Sequence, residues 1–128
     1  MTINECIDLL DAQKPNAYSE ETKKMWLSDM DSMAFRDVIA THEGGAESFD
    51  GYDADTDGDT ELLIDDGFKN VYIFWLYAMI DFANQELSRY SNSMVMFNSA
   101  YQDWTGWYNR THMPLTARIR GAEARVRR

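Results

Sequence analysis

The chain has 128 residues, of which 45% are apolar and 13% aromatic, so it should fold as one domain with one core and is not of the disordered class. Its net charge of −10 is uneven, because residues 1–114 carry −14 and residues 115–128 carry +4. An acidic body repels phosphate backbones, which argues against direct reading of DNA, and the longest apolar run, 71–80, is roughly half of what a membrane-spanning helix needs.

Two amphipathic helices are expected in the first third of the chain. Thr2 and Glu5 have the spacing of a capping box, and apolar residues at helical spacing follow them, so a short first helix should end before Pro15. Ser19 can cap a second helix whose first turn is acidic, as the helix dipole favours. The apolar stripes after it predict a helix over about 20–41.

The composition changes in residues 43–67, which hold ten acidic residues and no Lys or Arg. Asp-Gly pairs at 57–58 and 66–67 favour turns. Residues 60–64 are typical of a strand, and residues 48–52 are placed to pair with them. The sequence therefore predicts a short β-hairpin within an acidic loop.

Two further helices are expected after the acidic loop. Residues 71–80 resemble a buried strand, but the apolar pattern continues at helical spacing and predicts a helix over about 69–89. Its first half is apolar on every side, which requires neighbours on every face and favours contact with another subunit. Residues 91–93 offer a turn and a cap. Apolar residues then step by three and four along a fourth helix: Met94, Phe97, Tyr101, Trp104 and Tyr108.

These elements predict a mainly α fold, a small bundle of about four helices with a short β-hairpin in the acidic loop and an extended basic C-terminal tail. Pro114 should end the helical part, because proline cannot continue a helix. The domain therefore covers residues 1–114 and the Arg-rich tail residues 115–128. The single cysteine, Cys6, and the polar first residues indicate neither a disulfide nor a signal peptide, so we expect a reducing cytosol.

One sequence motif suggests a metal. Asp53, Asp55, Asp57 and Gly58 match the first half of an EF-hand loop, whose carboxylates wrap Ca²⁺. The position of the bidentate glutamate in that motif is occupied by Ile64. An Asp-rich solvated turn is therefore the favoured interpretation, Ca²⁺ binding is the alternative, and no other cofactor is indicated.

The remaining polar residues indicate no catalytic site. His42 and His112 have no Cys, Ser or carboxylate at the spacing of a metal or nucleophile motif. Asp81 and Glu86 lie five residues apart on a helix and so on different faces, which favours ordinary solvated positions. We therefore expect a protein without enzymatic activity.

The basic tail is the candidate partner interface. Docking on an acidic protein surface is the favoured role, whereas contact with nucleic acid and an end without a role remain open. The residues of this interface are Arg118, Ile119, Arg120, Arg125, Arg127 and Arg128.

Two segments resemble a known family. The first is residues 18–42, and the second runs from Asp59-Thr-Glu-Leu-Leu63 to the closing string Tyr108-Asn-Arg-Thr-His-Met-Pro114. Both are similar to the head-to-tail connector (adaptor) proteins of tailed bacteriophages and prophages. The closing string is the more specific piece, and the Arg-rich end lies outside the match.

The resemblance implies a structural virion protein at the head–tail interface, assembled in the cytoplasm of the bacterial host. Its partners would be the portal protein, neighbouring copies of itself in a ring, and the next tail or stopper protein. Encapsidated DNA would pass through the ring without being read, and no membrane would be involved. The basic tail would reach into the portal.

A second class of function is a small acidic protein-binding inhibitor that mimics DNA. Such a protein needs its charges in a phosphate-like double row. Ten of the 22 acidic residues instead lie in residues 43–66, and the tail is basic. The connector is therefore the favoured function.

Overall fold

The computed structural model describes residues 1–115, so the predicted partner interface of five arginines and Ile119 lies outside the described residues. Within the described part the chain forms four α-helices and one 3-10 turn, and no β-strand is assigned there. The elements are α1 (Ile3–Gln13), α2 (Glu20–Asp37), the 3-10 turn (Ile39–Thr41), α3 (Asn70–Ala83) and α4 (Leu87–Thr111). The expected four-helix, mainly α fold is confirmed.

Helix α1 begins at the predicted capping box. The Thr2 hydroxyl oxygen accepts from the Glu5 backbone N–H at 3.1 Å, and the Glu5 carboxylate accepts from the Thr2 N–H at 3.3 Å. These two bonds satisfy donors that a helix start otherwise leaves free. The helix ends before Pro15 and buries the expected apolar face, which consists of Ile3, Cys6, Ile7 and Leu10.

Helix α2 begins at its predicted cap but ends earlier than predicted. The Ser19 side chain accepts from the Thr22 N–H at 3.1 Å. The helix stops at Asp37, because the β-branched Val38 leaves helical geometry with φ −125° and is buried together with Ile39. The helix predicted to residue 41 therefore becomes a helix followed by a 3-10 turn.

Helix α3 also ends earlier than the predicted residue 89. Gln85 adopts φ +59°. Its N–H donates to the Phe82 carbonyl, and the Glu86 N–H donates to the Asp81 carbonyl, both at 2.9 Å. This pair of bonds is the Schellman motif, which satisfies free carbonyls at a helix end. The chain then reverses, and α4 begins at Leu87.

The predicted turn at residues 91–93 is wrong, because these residues lie inside α4. Ser93 is buried and donates a hydrogen bond to Asp81 on α3 at 2.8 Å, so it is a core polar residue and not a cap. The five apolar residues predicted to lie along one face of α4 do pack into the core. Phe97, Trp104 and Tyr108 are buried, and Met94 and Tyr101 are partly buried.

Helices α3 and α4 form an antiparallel hairpin, on which α1 and α2 pack from the α3 side. Aromatic ring contacts run along its whole length. They pair Phe82 with Tyr90 at the turn, Trp75 with Phe97 in the middle, and Phe68 with Trp107 at the open end, at 5.2 Å each. No helix among residues 1–115 is long and apolar enough to cross a membrane.

The predicted β-hairpin between residues 48–52 and 60–64 does not form, and residues 43–67 are irregular. Residues 60–62 instead pair with residues 1–3 through hydrogen bonds of 2.9 and 3.0 Å. The extended backbone thus finds its partner at the start of the chain and not across the acidic turn. This pairing carries Leu62 and Ile64 into the core.

Candidate functional site

The Asp-rich half-motif is folded as two Asx turns. The Asp53 carboxylate accepts from the Asp55 N–H, and the Asp57 carboxylate accepts from the Asp59 N–H, both at 2.9 Å. A side chain that closes its own turn in this way stabilises a loop without any ligand. All four aspartates are exposed to solvent.

A lysine occupies the inner side of this turn. The Lys24 ammonium is buried and donates to the carbonyl oxygens of Thr56 at 2.9 Å and Ala54 at 3.5 Å. These two main-chain oxygens are thus bonded to an amino group. Within residues 1–115 no three His, Cys, Asp or Glu side chains are grouped to hold a metal ion.

A buried carboxylate holds the next part of residues 43–67, which we call the acidic segment. Asp31 on α2 has no exposed surface, and both of its oxygens accept hydrogen bonds. The Tyr52 hydroxyl donates at 2.5 Å, the Tyr72 hydroxyl at 2.6 Å and the Leu63 N–H at 3.1 Å. Asp31 therefore joins α2, α3 and two points of the acidic segment.

Burial and hydrogen bonding act in opposite directions on Asp31. Burial raises its pKa, because a charged carboxylate loses solvation, whereas the bonds from Tyr52, Tyr72 and Leu63 lower it, and the net direction is upward. Burial and the neighbouring Asp31 charge also raise the pKa values of both tyrosines. Both hydroxyls therefore stay protonated and act as donors.

Lys24, Ser28 and Asp31 are spaced by four and three residues, so they lie on one face of α2. The Ser28 hydroxyl oxygen accepts from the Tyr52 N–H at 2.9 Å. We call these three residues the α2 clasp, since each binds the acidic segment. The sequence analysis missed the clasp, although its polar spacing within an amphipathic helix was the signal that could have found it.

A second buried carboxylate corrects the sequence analysis. Asp81 is 1% exposed and forms an ion pair with the Lys14 ammonium at 2.7 Å, besides accepting from Ser93. The prediction that Asp81 is exposed to solvent is therefore wrong. Glu86, which is partly exposed, pairs with Arg89 at 3.1 Å. The two carboxylates have separate partners, and Asp81 links the end of α1 to both helices of the hairpin.

The string that carries the family resemblance closes the end of α4. The His112 ring stacks on Tyr108 with ring centroids 3.7 Å apart, and His42 meets the same tyrosine edge-on at 5.2 Å. The Met113 carbonyl accepts from the Glu43 N–H at 2.9 Å. Both histidines thus pack where the acidic segment begins, beside the residues that precede the basic tail.

The hairpin also carries exposed apolar side chains. Phe82 is 59% exposed and Leu87 is 63% exposed, and the Phe82 ring contacts Tyr90 at 5.2 Å. We call these three residues the turn patch, because they surround the hydrogen-bonded turn between α3 and α4. Exposed apolar side chains that lie together on a surface can bind a partner.

Comparison of the chain with family models, with curated proteins and with solved structures finds no match in any of the three. The surface of the described residues and the sequence resemblance are thus the observations that bear on function.

Proposed function

We propose that this protein is a head-to-tail connector of a tailed bacteriophage or prophage. In this role it is a structural virion protein that binds the portal as an oligomeric ring and extends the DNA channel. The ring then provides the platform to which the next tail or stopper protein attaches. The turn patch is the observation that carries the proposal, because it offers an apolar contact that residues 1–115 leave uncovered.

The turn patch suits a contact between neighbouring subunits of a ring. A ring interface is heterologous, so a protrusion on one copy fits a different surface on the next copy. The Schellman bonds fix the backbone beneath Phe82 and Leu87, so these side chains are presented with little ordering cost. A single exposed apolar residue is ordinary, but two beside a fixed turn favour a binding site.

The charge distribution also supports a connector. The α2 clasp holds an acidic segment with ten carboxylates against the body. An acidic surface repels DNA, so a channel bordered by it lets DNA pass without gripping it. The opposite charge of residues 115–128 favours docking of this tail on an acidic portal surface.

The first test mixes the purified protein with portal rings from the same genome and examines the mixture by electron microscopy. The connector proposal expects a discrete ring stacked on the portal. Deletion of residues 115–128 should abolish binding while the circular dichroism spectrum of the body stays unchanged. No binding by the intact chain would contradict the proposal and favour the acidic protein-binding inhibitor.

A pair of matched variants tests the turn patch itself. Leu87→Glu places a charge in the patch, at the first residue of α4, where the helix dipole accepts an acidic residue. Met25→Glu places the same charge on α2, at a residue that is 53% exposed. Ring formation on the portal should be lost in the first variant and kept in the second. Equal assembly of both would remove the turn patch as the subunit contact.

A further inference from the structure

An open groove of about 460 Å³ lies between α3 and α4, on the part of the hairpin away from the turn patch. Its lining includes the apolar side chains of Val71, Phe74, Val95, Met96 and Ala100. Val95 is 69% exposed and Met96 is 45% exposed. The groove therefore presents apolar surface that the described residues do not cover.

Negative charge borders the groove. Asp103 is part of its lining, and Gly67 is shared with a second hollow of about 280 Å³. Four carboxylates line this second hollow against two cations, and they belong to Glu5, Glu61, Asp65 and Asp66. The Met1 ammonium already pairs with Glu61 at 3.0 Å and with Asp66 at 2.6 Å, and the lining as a whole remains negative. A ligand that covers both hollows would need an aliphatic group beside positive charge.

Residues 116–128 have this composition. Arginines flank an aliphatic residue twice, in Arg118-Ile119-Arg120 and in Arg125-Val126-Arg127. Ile119 and Val126 match the apolar groove, and the arginines match the carboxylates, which guanidinium groups bind with two parallel hydrogen bonds. The segment thus complements both hollows in apolarity and in charge.

The segment also begins close enough to reach the groove. The Trp107 ring lies between Phe68, at the open end of the groove, and His112 near the start of the segment. Its centroid is 5.2 Å from that of Phe68 and 6.0 Å from that of His112. The groove follows α4 from Val95 to Asp103, about 12 Å of helix. A chain of 13 residues can span at most roughly 3.3 Å per residue, and this upper limit exceeds the length of the groove several-fold.

We propose that residues 116–128 dock in this groove of their own chain, with Ile119 or Val126 on the apolar floor and the flanking arginines on the carboxylates. A segment tethered beside its site is present at millimolar effective concentration, which favours its own chain over a second copy. Docking in the free subunit needs no portal, so its failure leaves the connector proposal standing. In a connector, the portal would displace the segment from the groove.

Paramagnetic labelling tests the docking in the full chain. Cys6 is buried, and burial raises the pKa of its thiol to about 12, so a spin label reacts only with a cysteine introduced by Ala122→Cys. With ¹³C-labelled methionine methyl groups, the Met96 signal should lose most of its intensity. The signal of Met25, which is exposed on α2 and does not line the groove, should persist.

A second variant shows whether the groove causes the effect. Val95→Lys adds a positive charge and removes apolar surface at an exposed position, so it should restore the Met96 signal without unfolding the chain. Ser32→Lys places the same charge at an exposed residue of α2 and should leave the loss unchanged. Raised salt should also restore part of the signal, because it screens the arginines.

Two outcomes would overturn the proposal. Equal signal losses at Met96 and Met25 would mean that the segment does not prefer the groove. A mixture of spin-labelled unenriched chains with ¹³C-labelled unmodified chains would detect docking between molecules. Loss of the Met96 signal in that mixture, at the same strength as in the doubly labelled chain, would assign the groove to a second copy.

Discussion

The acidic segment and the α3–α4 hairpin are held in place by different forces. The hairpin is joined by tilted aromatic ring contacts and buries Trp104 completely. The acidic segment has no regular structure and is fixed through the α2 clasp, whose polar groups bind backbone groups of residues 52, 56 and 63. An irregular segment can thus be positioned when side chains of a neighbouring helix bind its N–H and C=O groups.

This difference predicts two kinds of failure. Loss of packing in the hairpin should lower the free energy of global unfolding, because the hairpin supplies much of the core. Loss of the α2 clasp should first release the acidic segment, because the clasp is its main attachment to α2. Measurements of global stability and of local hydrogen exchange separate these two cases.

Trp104→Ala should have the largest effect. The residue is fully buried, and its Nε1–H donates to the Asp65 carboxylate at 3.1 Å, so the change removes packing and an attachment of the acidic segment. We expect a loss of about 3–5 kcal/mol in the free energy of unfolding, measured by urea denaturation. Gln102→Ala, at an exposed residue of the same helix, is the control. A loss equal to that of the control would contradict the assigned packing.

Asp31→Ala should lower stability by about 3 kcal/mol, because one buried and two partly buried donors lose their acceptor. Hydrogen exchange of the Leu63 amide, which donates to Asp31, should accelerate more than exchange of the amides in the middle of α4. Asp29→Ala changes an exposed carboxylate of the same helix and should alter neither quantity. Equal acceleration in both regions would show that Asp31 supports the whole fold and not the acidic segment in particular.

The local features of both regions could be predicted from the sequence, but their long-range partners could not. The capping box at Thr2 and the apolar faces of α1 and α4 depend on nearby residues, and they are confirmed. The pairing of residues 60–62 with residues 1–3 brings together chain segments far apart, so alternation alone could not select it. The burial of Asp81 likewise depends on Lys14, which belongs to another part of the chain.

The early end of α3 was hidden for another reason. The turn residue with positive φ is Gln85, whereas glycine is the usual sign of such a turn. The apolar pattern also continues through the turn, because Phe82 and Leu87 are apolar although they are exposed. A pattern that normally marks a buried face here marks the turn patch, which is the proposed partner surface.

The α2 clasp should also make a smaller, pH-dependent contribution to stability through Asp31. Burial raises the pKa of Asp31 above its unfolded value, so the stability linked to Asp31 is present below the unfolded pKa, about 4. This stability is lost as pH rises through the folded pKa. The advantage of the native chain over Asp31→Asn should therefore decrease from pH 4 towards neutrality in urea denaturation. An advantage that increases with pH would mean that hydrogen bonding outweighs burial.

Gln85→Gly changes the turn of the hairpin and should have the smallest effect on the free energy of unfolding. A non-glycine residue at φ +59° is strained by about 1–2 kcal/mol, whereas glycine costs about 0.5–1 kcal/mol through the entropy of the unfolded state, so the net gain should lie between about 0 and 1.5 kcal/mol. Gln85→Ala keeps the strained φ and should bring no gain. The Schellman bonds use backbone N–H groups, so they persist in both variants. If glycine stabilises and alanine does not, the positive φ of Gln85 strains the native turn. If glycine instead lowers stability by about 0.5–1 kcal/mol, only its unfolded-state entropy is seen and the turn carries no strain.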